Sequence, residues 1–408
     1  PGLFNEEGWR HILDNHNGRL PIKIKAVPEG SIVGTSNVLV TVENTDPKVP
    51  WLTNYVETIL LQVWYPTTVS TLSMQIKKVF LEYLRKTTSY NNEELKNIVS
   101  FMLHDFGYRG ASSPESAGIG GSAHIVNFMG SDTVAAIECA QEFYNTDNIL
   151  AFSIPASEHS TITSWGKDNE VKAFENMLDS YPTGTIACVS DSFDIIKACG
   201  MYWGGILRSK ILQRDGRLVV RPDSGDPVET LKQVFAILWN RFGGTVNDKG
   251  FKVLHPNIRV IQGDGVNYES IRLILDMMVA EGFSVENIAF GMGGALLQKV
   301  DRDTQKFAFK CSSIVINGVE HSVQKNPIEI NSNGERVESF KKSKSGRLKL
   351  RKKLSELSKE EQLQYFEEYF TDENCVDEIG DELITVFENG ILIKEWTFEE
   401  IRERASII

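Results

Sequence analysis

The chain has 408 residues, 41% hydrophobic and 24% charged, enough for a large core and two or three domains. Its net charge of −12 argues against a general nucleic-acid binder and leaves room only for a local cationic pocket. No apolar run reaches the roughly 18 residues of a membrane span, and no signal peptide is visible. The five cysteines, Cys139, Cys188, Cys199, Cys311 and Cys375, are scattered without a CxxC pair. They predict reduced thiols in a cytoplasmic setting, with neither a disulfide framework nor a zinc site.

In chain order, Trp9 to His16 reads as a short helix stopped by Gly18. Ile22 to Val27 and Val38 to Glu43 alternate as strands, and Trp51 to Tyr65 is an apolar helix with Pro66 as its stop. Residues 1–95 thus form one part of a small α+β domain. From about Ser100 the rhythm becomes strand, polar turn, helix. Asp132, Asp168 and Asp194 are candidate helix caps, and Pro227 sits where a first turn tolerates proline. Repeated units of about 30 residues predict a largely parallel sheet over 96–326. The length of the run favours a closed barrel, although spacing alone leaves a doubly wound sheet open. Phe307 to Asn317 reads as a further strand and Ile328 to Glu338 as a surface loop. Lys341 to Lys353 is a basic, solvated stretch. Leu357 to Tyr369 is an acidic amphipathic helix, Val386 to Trp396 a hairpin about Asn389-Gly390, and Phe398 to Ala405 a last helix. Residues 327–408 complete the small domain.

Nearly every predicted strand of the repeat ends in polar or glycine residues, at the end where α/β barrels and open sheets keep their chemistry. Leu218 to Gly225 is the densest case: Arg221 and Asp223, two apart, face the same side of an extended chain end. Gly291 to Gly294 and Gly263-Asp264-Gly265 close neighbouring strands in turns whose backbone N–H groups can approach a phosphate, although a tight turn alone also demands glycine. Arg302, Lys310 and Lys325 lie downstream as cations for anionic oxygens; singly each is an ordinary surface charge. His159 follows a strand end beside Glu158 and several hydroxyls. Phe106, in the run His104 to Gly110 with Tyr108 and Arg109, offers a flat ring for stacking. The carboxylates Asp132, Asp191, Asp223 and Asp264 end four strands and suit ribose hydroxyls and Mg²⁺. The residues themselves point to an anion-plus-ribose site.

Taken together, HDFGYRG (His104–Gly110), AGIGGSAH (Ala117–His124), SIPASEHST (Ser153–Thr161), VSDSFD (Val189–Asp194), RPDSGDP (Arg221–Pro227), VIQGDG (Val260–Gly265) and FGMGGALLQK (Phe290–Lys299) closely resemble the nicotinate/nicotinamide branch of the type II phosphoribosyltransferases. The resemblance runs from Phe4 to the C-terminal TFEEIR. It implies a (β/α) barrel-like domain joined to a smaller α+β domain, in a homodimer with active sites at the subunit interface. It implies nicotinamide and phosphoribosyl pyrophosphate as substrates, Mg²⁺ as cofactor and ATP as a stimulating co-substrate. By motif, Phe106 would stack on the pyridine ring, Asp132 accept from the carboxamide, Arg221 lie beside ring and amide, and Ser153 line the pocket. Asp223 would hold ribose hydroxyls, and Gly263, Asp264, Gly293 and Gly294 the 5′-phosphate. Arg109, Arg302, Lys310 and Lys325 would serve phosphate and pyrophosphate, His159 would be the residue that ATP phosphorylates, and Asp191 a carboxylate on the Mg²⁺ side. Two departures stand out. Family members carry a segment ahead of the position of Phe4 that lends an aromatic ring and basic residues to the neighbouring subunit's site, and Ala187 stands where a serine is expected. A nicotinate-specific enzyme is the sister reading, which Asp132 counts against. A non-catalytic dimer keeping the fold is a third, which His159, Arg221, Asp223 and the glycine turns count against.

Overall fold

The computed structural model describes residues 4–338, 342–351 and 380–408, and the helix expected over Leu357 to Tyr369 lies outside them. The chain divides into two compact units, Pro1–Trp64 with Lys306–Ala405, and Tyr65–Gln305 with Ser406–Ile408.

In the smaller unit, Ile22–Ala26 pairs antiparallel with Val40–Asn44 on one side and Ile384–Glu388 on the other, and Ile391–Leu392 forms the outer edge. The expected hairpin turn is there: Asn389 and Gly390 both have positive φ, 50° and 80°, as a type I′ turn requires. The helix Glu6–His16 ends on left-handed Asn17, one residue before the expected stop. Its Ile12 joins Ile22, Val49, Leu52 and Val56 in a small apolar core. The strand expected over Phe307 to Asn317 shortens to Ser313–Ile316, which turns back on Val319–Ser322. Within the expected loop, Ile328–Ile330 pairs with Arg336–Glu338. Both are local hairpins about glycine turns, Gly318 and Gly334, rather than additions to the parallel sheet.

The larger unit is built on six parallel strands in the order Gly130–Ser131, Leu103–Asp105, Ile288–Met292, Ile258–Gln262, Asp215–Arg221, Thr183–Val189. Between the two edges runs the irregular segment around Phe152 to Ser157. Phe152 exchanges backbone hydrogen bonds with Met129 and Ser131, and Pro155 and Ser157 bond to Ala187, so the sheet curls into a closed ring. The barrel expectation holds, though this seventh member is too bent by Pro155 to be a regular strand. Residues alternate across the central strands. Leu218, Val220, Ile258, Val260, Ile288 and Phe290 face an outer core shared with the helices. Ala187, Val219 and Ile261 face inward, with Phe106, Ile154 and Ala289 against them.

Pro66 starts a helix instead of stopping one. It lies in the first turn of Trp64–Thr87, where a missing N–H has no intrahelical acceptor to lose. That helix and Asn92–Val99 bury Val69, Ile76, Phe80, Leu84, Leu95 and Val99 in the large unit's core. The sequence from Tyr65 to residue 95, expected in the small domain, therefore belongs to the large unit. The run Ala117 to His124 lies in the helix Pro114–Ile125. Its glycines serve packing: a Cβ on Gly121 would stand 2.7 Å from Ala136 Cβ, and one on Gly118 3.0 Å from the Ala135 carbonyl. Asp194 caps its helix as expected, accepting from Ile196 and Lys197 N–H. Asp132 does not cap; Thr133 precedes the helix Val134–Phe143 and the Asp132 side chain turns elsewhere.

Candidate active site

The inward alternation delivers Arg221 and Asp223 to the barrel mouth. Val219 faces in, so Arg221 does too, and Arg221 Nη2 donates to Asp223 Oδ2 at 3.1 Å. On the adjoining strand end, His159 Nε2 lies 3.1 Å from Asp191 Oδ1, while its Nδ1 stands 3.8 Å from Asp223 Oδ2. The Asp191 side chain is 3% exposed and that of His159 43%. The carboxylate is therefore a fixed anchor and the imidazole the reachable partner. The anchor is held by the strand ends: Ser190 N–H donates to the Arg221 carbonyl at 2.9 Å, and Trp203 Nε1 to Ser190 Oγ at 3.0 Å. Arg221 Nε is buried with no hydrogen-bond partner of its own, a donor turned into the interior.

Phe106 sits inside this ring of groups. A Cβ at Gly291 would stand 1.9 Å from its ring, so glycine there is what admits the aromatic. A Cβ at Gly263 would touch both Phe106 and Asp223 Oδ1, each at 3.4 Å. A Cβ at Gly293 would likewise stand 3.4 Å from the Phe106 carbonyl oxygen, and Phe106 N–H donates to Met292 O at 3.0 Å. The glycine turns after two adjacent strands, Ile258–Gln262 and Ile288–Met292, thus border one aromatic face. Gln262 Nε2 braces the first turn through the Asp264 carbonyl at 2.8 Å, and Asn267 caps the following helix Tyr268–Ala280. Asp264 itself is exposed.

Asp132 accepts a short hydrogen bond from Ser153 Oγ, and its N–H donates to the Asp105 carbonyl at 3.0 Å. His104, a residue the motifs did not single out, shares the inner face with Phe106 and feels the Asp132 charge. Burial nevertheless dominates and pushes its pKa below the ordinary value, favouring a neutral ring. Burial likewise raises Asp105 to about 6, against a 2.7 Å hydrogen bond from Gly107 N–H. The signal for His104 was its place two residues before Phe106 on one strand face.

Phe106, Arg221, Asp223, Gly263 and Gly293 come together, with His159 and Asp191 joined to Asp223 and Gly294 next to Gly293; Asp132 and Ser153 form a second group at neighbouring strand ends. Arg109 is exposed just before Gly110, whose Cβ position would lie 3.4 Å from Gly294. Arg302 is exposed and 2.8 Å from Asp303. Lys310 and Lys325 are exposed residues of the smaller unit.

The model of the nicotinate phosphoribosyltransferase (NAPRTase) family matches residues 101–364. The chain belongs to this family. It is 48% identical over 404 residues to the nicotinamide phosphoribosyltransferase of Xanthomonas campestris pv. campestris, covering 98% of this chain and 82% of the relative. To the nicotinamide phosphoribosyltransferase of Acinetobacter baylyi it is 33% identical over 416 residues, covering 97% and 78%. Among solved structures, human nicotinic acid phosphoribosyltransferase matches with a TM-score of 0.46 at 14% identity, covering 99% of this chain and 79% of that one. The span matched by the family model takes in every large-unit residue of the site described above, from Phe106 to Gly294. Among the described residues, no helix of this family member is long and apolar enough to cross a membrane.

Proposed function

We propose that the chain transfers the 5-phosphoribosyl group of phosphoribosyl pyrophosphate to nicotinamide. The pyridine nitrogen forms a bond to the anomeric carbon as the bond to the pyrophosphate oxygen breaks, giving nicotinamide mononucleotide and pyrophosphate. The observation that carries this reading is the Phe106–Arg221–Asp223 group bordered by two glycine turns, in a chain so similar along its length to relatives named nicotinamide phosphoribosyltransferase.

Phe106 stacks on the pyridine, with Arg221 beside ring and amide. Asp132, oriented by Ser153, accepts from the carboxamide N–H and repels the carboxylate of nicotinate. Gly263, Asp264, Gly293 and Gly294 take the 5′-phosphate, and Asp223 the ribose hydroxyls, where its negative charge favours the developing oxocarbenium. Arg109, Arg302, Lys310 and Lys325 serve phosphate and pyrophosphate in a homodimer with interfacial sites. Asp191 suits Mg²⁺: it is a nearly buried carboxylate with one oxygen committed to His159, and Mg²⁺ binds through one or two carboxylates plus substrate phosphates. When bound, Mg²⁺ neutralises charge on the leaving pyrophosphate. Asp191 also holds the His159 proton on Nε2, which leaves the Nδ1 lone pair to bond to the γ-phosphorus of ATP as its bond to the bridging β,γ oxygen breaks and ADP leaves. The test is product formation by Asp223→Ala. A loss of kcat of about 100-fold or more is expected, the scale of removing one transition-state electrostatic contact; near-normal turnover removes Asp223 from the mechanism.

A further inference from the structure

The smaller unit holds a second cluster of ligating side chains. His11 and His16 both aim Nε2 at one oxygen of Asp46, at 2.7 and 2.8 Å, and the three atoms lie within 4.8 Å of one another. The carboxylate is already fixed: its other oxygen accepts Lys48 N–H at 2.8 Å, and Asn44 Nδ2 donates to the Asp46 carbonyl at 2.7 Å. The helix Glu6–His16 supplies both rings, one from its second turn and one from its last residue. The side chains are 20%, 29% and 16% exposed, so an ion reaches them from solvent without unfolding the unit. Two imidazoles and a carboxylate converging on a point is more than one ion pair needs.

We propose that His11, His16 and Asp46 form a site for a divalent transition metal of the Zn²⁺, Co²⁺ or Ni²⁺ kind. The two Nε2 atoms and the facing Asp46 oxygen are the ligands, and water takes the open position of a three-ligand site. The nitrogen donors set it apart from Mg²⁺ and Ca²⁺ sites, which are all oxygen. Metal–ligand bonds of about 2.0–2.2 Å put tetrahedral ligands roughly 3.3 Å apart, so the rings back off by about half an ångström. Each ring then keeps its proton on Nδ1. Asn15 Nδ2 lies 3.1 Å from His11 Nδ1 and donates to the His11 carbonyl at 3.0 Å, so the side chain that flanks this ring is already held in place. The bound ion clips the end of the first helix to the turn after Val40–Asn44. Its ligands are five and thirty residues apart, outside the short spacings by which sequence reading finds zinc.

The test uses the full chain, stripped of metal and held in excess Mg²⁺ to saturate carboxylates elsewhere. Co²⁺ is titrated with calorimetry and visible absorbance, and Zn²⁺ with thermal melting. One equivalent is expected, with His11→Gln, His16→Gln and Asp46→Asn each weakening binding 10-fold or more and leaving turnover unchanged. If a variant folds poorly, paramagnetic broadening of the His11 and His16 ring signals by Co²⁺ in the unaltered chain supports the site, and unbroadened signals overturn it. No binding overturns the proposal, as does binding that ignores all three substitutions or is lost only in His159→Gln.

Discussion

Gly291 shows how much one missing side chain decides. The Phe106 ring fills the space its Cβ would need, with a separation of 1.9 Å. Gly291→Ala is therefore expected to push the ring aside, raise KM for nicotinamide about 10-fold and cost about 1–3 kcal/mol in stability, read by steady-state kinetics and thermal melts. Asp132 makes a different prediction. Asp132→Asn keeps the shape beside Ser153 and removes the charge, so the ratio of kcat/KM for amide over acid should fall about 10-fold or more; an unchanged ratio would place selectivity elsewhere. Much at this scale is legible in the sequence. A residue two places from an inward neighbour faces inward, which puts Arg221 and Asp223 together by spacing alone. His104 carries the same spacing signal, two residues before Phe106, but a histidine in a short apolar strand reads equally as core.

At the scale of elements, turn chemistry is the clearest signal. Asn389-Gly390, Asp194 and Pro227 do what their residue types dictate. The errors come where packing overrides pattern. The run Ala117–His124 is helical despite three glycines: Gly118 and Gly121 let the helix sit against Val134–Phe143 at backbone distance, and Gly120 leaves room for the Tyr65 hydroxyl. Pro66 opens a helix because it falls in the first turn, where a missing N–H loses no intrahelical bond. The Asn267 cap offers a direct check, because the helix it starts follows the Gly263–Gly265 turn. Asn267→Ala should lower stability by about 1 kcal/mol in denaturant melts. It should also weaken phosphoribosyl pyrophosphate more than nicotinamide; equal weakening would detach that turn from the phosphate.

For the molecule as a whole, ring closure is the least legible feature. It depends on single backbone exchanges by Phe152, Pro155 and Ser157, which carry no periodicity to read. Stability also has a pH dependence built into the large unit. Burial raises Glu170 from 4.5 to about 7, ahead of the opposing pull of Lys197. A folded value above the unfolded one means the cost is absent below pH 4.5, grows as pH rises to about 7 and is constant beyond. Asp105 adds a change of the same sign up to about pH 6. Glu170→Gln should thus raise the melting temperature at pH 8, by on the order of 1–2 kcal/mol of stability, and leave it unaltered at pH 4.5; an equal shift at both would assign the effect to packing. The measurement closest to the central claim is kcat/KM for nicotinamide and for nicotinate, with phosphoribosyl pyrophosphate and Mg²⁺ present. Phe106, Arg221 and Asp132 as placed predict mononucleotide formation with the amide favoured about 100-fold or more. Turnover of the acid as good as or better than the amide would contradict the account.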